Sequence, residues 1–537
     1  MKALTAFEMR AVDRLTTERG GLSRAQLMES AGRSVCEVLR ARLGDNYQGR
    51  AAVLCGKGNN GGDGFVVARL LCERGWPAKV YLFVNSESVR GEAAANLARL
   101  RAAGGEVLVV TDTCHWEAVR GELAVSPLVI DALLGTGING PVGGLLGAVI
   151  EHVNEISRCC TAAMPEMVVA VDMPSGLPSD GEPAQGPALF AHATVTFTAP
   201  KIGQLISKDA ACCGRLVVRP IGSPRQLIDE VGASQVRWLE PEEFRALPLI
   251  RRADAHKGSY GHVLLIAGSR GKSGAAILAG RGALRAGAGL ATIATPESVL
   301  PIVAGAQAEF MTEPLLSTET GAAALASLEY GRFAAIAKAK TVLAIGPGLG
   351  THQETQEFIR TIVRESTQPV ILDADGLNAF AGRTQELNQR TSRFLAVTPH
   401  PGEMARLFGK STEEVQADRA KFALLAAAEW NAYVILKGYH SILATPSGHV
   451  FVNTTGNPGM AKGGTGDVLT GILAGLTAQF GTVEWEKTLG FGVYLHGLAG
   501  DAAALVHGET SSLASGIADF LSDAYRRVVS ELRARES

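Results

Sequence analysis

Along most of the chain, short apolar runs rich in valine, isoleucine and leucine alternate with longer segments whose apolar residues recur at helical spacing. A continuously apolar run of four or five residues is the form of a strand buried on both faces, and its alternation with helices is the form of βαβ units around a parallel sheet. In the first part of the chain the pattern predicts strands at Ala51 to Leu54, Val80 to Val84, Val107 to Val110, Leu128 to Ile130, Val168 to Val171 and Thr194 to Phe197, with Leu216 to Val218 as an edge strand. In the second part it predicts them at His262 to Ile266, Leu290 to Ala294, Thr341 to Ile345, Val370 to Leu372, Leu395 to Val397, Tyr433 to Leu436, Ser441 to Ala444 and His449 to Val452. The fold class is therefore α/β in both parts.

Between the two series, Arg219 to Lys257 holds Pro220, Pro224, Pro241 and Pro248 with several charges and no sustained apolar period, which marks a linker. The expected modules are residues 1–225 and 226–537. They share no visible repeat, so they read as a fusion of unrelated modules rather than a duplication.

Composition narrows the function classes. The 537 residues are 46% hydrophobic and 19% charged, with a formal net charge of −2, so the chain has ample core and lacks the broad basic field of a nucleic-acid or membrane-surface binder. Small molecules are the expected partners, with neither nucleic acid nor membrane. The longest uncharged run, Ala132 to Ile150, is broken by glycines and Pro141, against a membrane span. All eight cysteines lie within the first 213 residues and none form C-x-x-C. Cys159-Cys160 and Cys212-Cys213 read as plain thiols, and the expected compartment is reducing cytoplasm.

The candidate chemistry lies where strands end. After Ala51 to Leu54 comes Cys55-Gly56-Lys57-Gly58-Asn59-Asn60-Gly61-Gly62-Asp63-Gly64, opening a helix expected near Phe65. Gly56, Gly58 and Gly61 satisfy G-x-G-x-x-G, a loop that can hold a pyrophosphate on backbone N–H groups, although the same glycines would suit a tight turn without ligand. The next strand ends in Asn85 rather than in an acid for a ribose diol, against a hydride-transfer dehydrogenase. Two further strands run into acids, Asp131 before Gly135-Thr136-Gly137 and Asp172 before Ser175-Gly176. Parallel strands share one carboxyl edge, so the Asn59 to Asp63 turn, Asp131 and Asp172 are expected in one crevice.

Leu27-Met28-Glu29-Ser30-Ala31-Gly32, the GNNGGDG of Gly58 to Gly64, the DALLGTG of Asp131 to Gly137 and the DMPSGL of Asp172 to Leu177 together resemble the YjeF N-terminal family of NAD(P)H-hydrate epimerases. The resemblance covers roughly the first 220 residues and implies a Rossmann-like three-layer αβα domain. It implies that Asn59, Asn60, Gly61, Gly62 and Asp63, with Gly135, Thr136, Gly137, Ile138, Asn139, Gly140 and Pro141, contact the hydrated dinucleotide. It further implies that Asn60, Asp131 and Ser175 hold potassium and that Asp172 binds and acts at the reacting carbon. That carbon carries both a hydroxyl and the ring nitrogen, and a carboxylate can assist its reversible opening by proton transfer.

In the second module Gly271-Lys272-Ser273 imitates the end of a P-loop, but the first glycine of that motif would fall at Ile266 inside the strand, so a P-loop is rejected. The richer segment is Asn457 to Val468. Val468, Leu469, Ile472, Leu473 and Leu476 follow at helical spacing and put Gly466 and Asp467 at a helix N-terminus. Free N–H groups there can stabilise a transferring phosphoryl group, and Asp467 can accept a proton from the attacking hydroxyl. Taken alone, Gly-Asp at a helix start is an ordinary first-turn acid.

This loop resembles the anion hole of the ribokinase-like fold. With His256-Lys257-Gly258, Ala267-Gly268-Ser269, Gly346 to Gly350, Asp373 to Asn378 and His400-Pro401-Gly402-Glu403, it is similar to the YjeF C-terminal family, the NAD(P)H-hydrate dehydratases. That resemblance implies a ribokinase-like αβα domain in which Ala275, Gly348, His400 and Asp467 contact the hydrate, Ala276 being an equal register for Ala275. Lys437, Gly438, Tyr439, His440, Ser441 and Gly466 would contact ADP or ATP, with Mg2+ between phosphates. Asp373 and Asp375 are left as either magnesium ligands or helix caps, and His400 before Pro401 is also compatible with a plain turn.

The whole chain is thus expected to be a bifunctional repair enzyme for hydrated nicotinamide nucleotides. Two rivals remain: a ribokinase-like small-molecule kinase with a non-catalytic N-terminal module, and a first module that is only a binding scaffold. The sequence does not decide ADP against ATP, NADH hydrate against NADPH hydrate, or the oligomeric state, and a homo-oligomer stays open.

Overall fold

A computed structural model describes residues 1–138, 140–158, 167–481 and 484–534; Asn139 and the Cys159-Cys160 pair lie outside them. The chain divides into two compact units, Lys2–Val236 and Arg237–Ser537, with Met1 belonging to the second. The division falls inside the proline-rich linker but later than residue 225. The helix Arg225–Val231 buries Leu227 and Ile228 and contacts the N-terminal helix Ala6–Gly20, which keeps it with the first unit.

The first unit is built on β1 (Ala51–Cys55), β2 (Ala78–Leu82), β3 (Glu106–Val109), β4 (Leu128–Ala132), β5 (Met167–Val171), β6 (Ala193–Phe197) and β7 (Arg215–Arg219). They form one sheet in the order β3-β2-β1-β4-β5-β6-β7, every pair parallel. β7 is the edge strand its short apolar run predicts. Side chains alternate across the sheet. Val53 and Cys55 face a layer holding Phe65, Val67 and Leu71, while Ala52 and Leu54 face one holding Trp116, Val149 and Ile150. Strand order reverses between β1 and β4, and their carboxyl ends open the crevice where doubly wound sheets bind ligands.

The second unit carries β8 (Val236–Trp238), β9 (His262–Ile266), β10 (Leu290–Pro296), β11 (Met311–Leu315), β12 (Val342–Ile345), β13 (Val370–Leu372), β14 (Leu395–Val397), β15 (Tyr433–Leu436), β16 (Ser441–Ala444) and β17 (Val450–Asn453). Their order is β11-β10-β9-β12-β13-β14-β15-β16-β17-β8. The pairs from β11 to β15 are parallel, and β15, β16 and β17 pair antiparallel. β8 and β11 went unpredicted because both lie at sheet edges. β8 is three residues long, and β11 is largely solvated and contains Pro314, tolerated where no further strand needs its missing N–H.

One core layer of this unit is made by the helices Thr465–Phe480 and Trp485–His507. The second is long and apolar enough to cross a membrane by length and composition, and here two thirds of its apolar window is buried in the unit.

Candidate functional sites

The glycine-rich segment after β1 differs from expectation in one respect: it is not a loop before a helix but the helix itself, running Asn59–Glu73 rather than starting near Phe65. The glycines are demanded by packing. A Cβ on Gly61 would meet the Gly56 carbonyl oxygen at 2.0 Å, and one on Gly64 would meet Ala132 Cβ and Cys55 Sγ at 2.7 Å. They let the first turn press onto β1 and β4, so the usual helix penalty of glycine is overridden by tertiary contact. Gly58 is different: among the described residues nothing lies within 4 Å of its Cβ position, and as the helix cap it offers no side-chain hydrogen bond, leaving the first N–H groups without a side-chain cap.

In front of this turn opens a cavity of about 1040 Å³. Asn59, Asn60, Asp63, Gly135, Thr136, Gly137, Ile138 and Asp172 line it, together with Asp13 and Lys201, which the sequence pattern did not single out. Gly61 and Gly62 sit behind it, with Met28 over Gly62, and Gly140 and Pro141 are exposed and not among its lining residues. Exposed Arg10, Arg14, Arg24, Lys57 and Arg90 also line it.

Asp172 follows β5 directly, in the left-handed region at φ +60°, a conformation Asp tolerates better than most residues. It is locked there from both sides, its N–H donating to Val195 O at 2.9 Å and its carbonyl accepting from Gln204 Nε2 at 2.6 Å. Its Oδ1 takes an ion pair from Lys201 and hydrogen bonds from Thr196 Oγ1 at 3.1 Å and Phe197 N–H at 3.3 Å. Lys201 is 1% exposed and also donates to Thr196 Oγ1 and the Phe197 carbonyl. The signal for Lys201 was its place four residues after β6, at the same carboxyl edge as Asp131 and Asp172.

Asp131, on β4, lies beneath the cavity floor and is fully buried. Ser175 donates through both N–H, at 2.7 Å, and Oγ, at 2.5 Å, and Leu133 N–H adds 3.2 Å. Burial pushes its carboxyl up to about 6 against these bonds. Asn60 Nδ2 donates to Leu134 O at 2.8 Å, and Ser175 Oγ accepts from Leu134 N–H at 2.9 Å, so Asn60 and Ser175 meet at Leu134 and Asp131 joins them through Ser175. Asn60 Oδ1 is buried and has no hydrogen-bond partner among the described residues, an acceptor suited to a hard cation.

In the second unit the helix Thr465–Phe480 starts at Gly464, φ +90°, with no side-chain cap. Its first turn presents Gly466 and Asp467. Behind it lies Lys437, which donates to Asp373 Oδ1 at 2.8 Å and stands 3.9 Å from Glu403. Thr470 Oγ1 fills the other Asp373 oxygen at 2.6 Å. Burial raises the Asp373 carboxyl, but Lys437 and the hydrogen bonds outweigh it and hold the group below the ordinary range. Lys437 is held above the usual amine range because Asp373 and Glu403 outweigh its own desolvation. Asp467 is pushed up to about 6 by burial and the Asp373 charge, with Lys437 opposing. An added Cβ on Gly466 would stand 3.3 Å from Lys437 Nζ, so the glycine keeps the ammonium reachable.

Asp373 is thus committed to Lys437 and Thr470 rather than to capping. Asp375 accepts from Lys272 Nζ at 3.0 Å and Gly350 N–H at 2.8 Å, tying the Gly268 to Ser273 turn to the Gly346 to Gly350 turn. A Cβ on Gly348 would meet Ala275 Cβ at 2.9 Å, while Ala276 is fully buried, so Ala275 is the residue facing that junction. His400 caps the helix Pro401–Phe408, its Nδ1 accepting from Gly402 and Glu403 N–H at 3.1 and 3.3 Å, which is the turn role its position before Pro401 allowed. Gly438 (φ +143°) and His440 (φ +50°) turn the chain between β15 and β16. Tyr439 stacks on His440 at 4.0 Å, Ser441 Oγ donates to the Gly438 carbonyl at 3.2 Å, and Arg419 binds the carbonyls of Leu436 and Lys437 from below.

A family model described as YjeF-related protein N-terminus matches residues 24–203, and one described as NAD(P)H-hydrate dehydratase matches residues 263–522. The bifunctional NAD(P)H-hydrate repair enzyme of Moorella thermoacetica is 40% identical over 535 residues, covering 99% of this chain and 98% of the relative. The enzyme of that name from Escherichia coli is 32% identical over 520 residues, covering 95% and 92%. Among solved structures, the ADP/ATP-dependent NAD(P)H-hydrate dehydratase from Bacillus subtilis co-crystallised with ATP and Mg2+ is 33% identical, covering 55% of this chain and all of that one, with a TM-score of 0.47. The chain belongs to the family of bifunctional NAD(P)H-hydrate repair enzymes.

Proposed function

We propose that the first unit interconverts the R and S hydrates of NADH and NADPH and that the second dehydrates the S form at the expense of ADP or ATP. The observation that carries this reading is that each unit holds its own carboxylate site at the carboxyl edge of its own sheet: Asp172 on Lys201 in one, Asp467 above Lys437 and Asp373 in the other.

In the first unit the N–H groups of the helix start after Gly58, which no side chain caps, and the basic residues Arg10, Arg14, Arg24, Lys57 and Arg90 receive the phosphates. Asn59, Asn60, Asp63 and the turn Gly135 to Ile138 flank the nicotinamide end, with Gly61 and Gly62 setting the helix close behind; the contacts assigned to Gly140, Pro141 and Asn139 stay with the resemblance. Asp172 takes the hydroxyl proton as the ring opens, and Lys201 is the positioning residue that fixes its carboxylate. Asn60, Asp131 and Ser175 would hold potassium, for which the partnerless Asn60 Oδ1 is suited. The ion would supply positive charge to a carboxylate-rich site.

In the second unit Asp467 accepts the proton of the substrate hydroxyl as it attacks the terminal phosphoryl group, and the N–H groups of Gly466 and Asp467 stabilise the charge that develops. A phosphorylated hydroxyl then leaves far more readily than water. Ala275, Gly348 and His400 contact the hydrate, and Lys437 with the Gly438 to Ser441 turn contacts the nucleotide. Magnesium would enter with the phosphates and neutralise their charge. The described cysteines Cys36, Cys55, Cys72, Cys114, Cys212 and Cys213 are free thiols, in keeping with a reducing cytoplasm.

The test supplies mixed R and S NADH hydrate with potassium, magnesium and either ADP or ATP, and follows the return of reduced-nicotinamide absorbance. Recovery of both epimers, reduced to the S share in Asp172→Asn and lost in Asp467→Asn, is expected. No recovery with either nucleotide overturns the reading.

A further inference from the structure

In the second unit one cation lies against the turn between β15 and β16 with no carboxylate of its own. Arg419 opens the helix Arg419–Glu429, and its side chain passes behind that turn. Its Nη1 donates to the Tyr439 carbonyl, and its Nη2 donates to the Leu436 and Lys437 carbonyls at 3.1 and 3.3 Å. Among the described residues it makes no ion pair; burial alone lowers its guanidinium to about 10, so it keeps its charge at neutral pH. Its hydrogen bonds are spent on backbone.

Those bonds fix the peptide planes of the turn. In a trans peptide the carbonyl and the following N–H point to opposite sides, so with the Leu436 and Lys437 carbonyls on the guanidinium the N–H groups of Lys437 and Gly438 face away from it. That of Lys437 is taken by the Pro399 carbonyl at 2.8 Å, which anchors the end of β15. The Gly438 carbonyl goes elsewhere, accepting from Ser441 Oγ at 3.2 Å. A Cβ at 438 would stand 3.0 Å from Arg419 Nη2, and φ is +143° there, so close approach and conformation both demand the glycine. His440, at φ +50°, holds a conformation that costs any other residue than glycine some strain. A turn of this shape needs an external hold, and Arg419 supplies it.

We propose that Arg419 is the positioning residue of the nucleotide turn: it gathers three carbonyls on one side so that the Gly438 N–H is presented on the other as a donor to the adenine nucleotide. This rests on the dehydratase reading above. A peptide dipole with its carbonyl on a cation and its N–H outward favours an anion, so the charge of Arg419 acts on the phosphates through the backbone without touching them. The turn begins at Lys437, whose Nζ would lie 3.3 Å from a Cβ on Gly466. The turn and the helix start that carries Asp467 therefore meet at that lysine. No local pattern in the sequence pointed to Arg419, which precedes the carbonyls it binds by 17 to 20 residues.

The test uses the full chain with S-NADH hydrate and magnesium, varying ADP or ATP, and measures the affinity for each nucleotide separately by calorimetry without hydrate. Arg419→Met keeps the apolar stem and removes the donors. It should raise the nucleotide KM and the calorimetric Kd about tenfold, while kcat at saturating nucleotide and the KM for hydrate stay near wild type. Arg419→Lys, which reaches fewer of the carbonyls, should fall between the two. The saturated kcat is itself the check on folding of the second unit, because unfolded protein lowers kcat and leaves KM alone. Wild-type nucleotide KM and Kd in Arg419→Met would overturn the inference. So would a lowered kcat with both constants unmoved, which is what a role in stability alone produces. Should Arg419→Met fail to fold, the lysine variant decides by the same readings. A wild-type chain that binds nucleotide but never dehydrates S hydrate would remove the dehydratase reading and leave the variants' Kd to decide; one that binds neither nucleotide would remove both.

Discussion

Both units bury a lysine against an aspartate at the carboxyl edge of a parallel sheet, but they attach it to different partners. In the first, Lys201 grips Asp172, the carboxylate assigned to the reacting carbon. In the second, Lys437 grips Asp373, and the carboxylate assigned to chemistry, Asp467, is left beside the pair and is pushed up to about 6. The same device thus serves two ends. Direct pairing holds a base in one orientation for a small proton shift. Offset pairing leaves the base nearer neutrality, able to take a proton and give it up, while Lys437 remains available beside the anion-binding turn.

That contrast can be broken by substitution. The largest effect should come from Asp467→Asn, which removes the proton acceptor and should lower S-hydrate dehydration about a thousandfold, with epimer interconversion unchanged; comparable loss in both activities would show that the two sites are not independent. Next is Lys437→Met. Asp373 is buried to 1% exposure, so an unpaired charge is left inside the unit at a cost of about 4 kcal/mol, read as an early unfolding transition. Lys201→Met should cost less stability, about 2 kcal/mol, because the Asp172 side chain is 18% exposed to the cavity. Its epimerase kcat should nevertheless fall about a hundredfold, a gap between stability and rate that Lys437→Met should not reproduce in the first unit.

The pH profiles sharpen the difference further. Asp467 must be ionised to accept a proton, and it is pushed up to about 6, so the dehydration rate should fall about tenfold per pH unit below that value. Wild type showing a flat rate down to pH 4.5 would remove Asp467 from the role of base. The smallest effect concerns the platform under the second site. Buried His496 donates Nε2–H to the Thr465 carbonyl at 3.0 Å, and burial lowers its imidazole to about 4, keeping it neutral. His496→Gln should slow dehydration about fivefold, the worth of one hydrogen bond of about 1 kcal/mol, without altering epimerisation.

Much of this arrangement was legible along the chain. Buried parallel strands need apolar residues on both faces, so β9, β13, β14 and β15 have the bounds that their hydrophobic runs predict. Strand-end acids before glycine-rich turns had to share one sheet edge, which is why Asp131 and Asp172 could be named. The edge strands β8 and β11 escaped notice because partial solvation removes the same signal. The helix start at Asn59 was misjudged because local propensity disfavours Gly61, Gly62 and Gly64, whereas contact with Gly56, Cys55 and Ala132 requires them.

What the sequence determined by itself was the α/β class, the two modules and the motif-bearing carboxylates, because periodicity and turn chemistry act over a few neighbouring residues. Only the tertiary structure decided which charges face one another. Lys201 meets Asp172 across 29 residues and Lys437 meets Asp373 across 64, and Asp13 reaches the cavity of Asp172 from the helix Ala6–Gly20. Those encounters set which carboxylate is paired and which is left to hold a proton, since desolvation and charge pairing depend on distance in space and on burial, and neither is written in residue order.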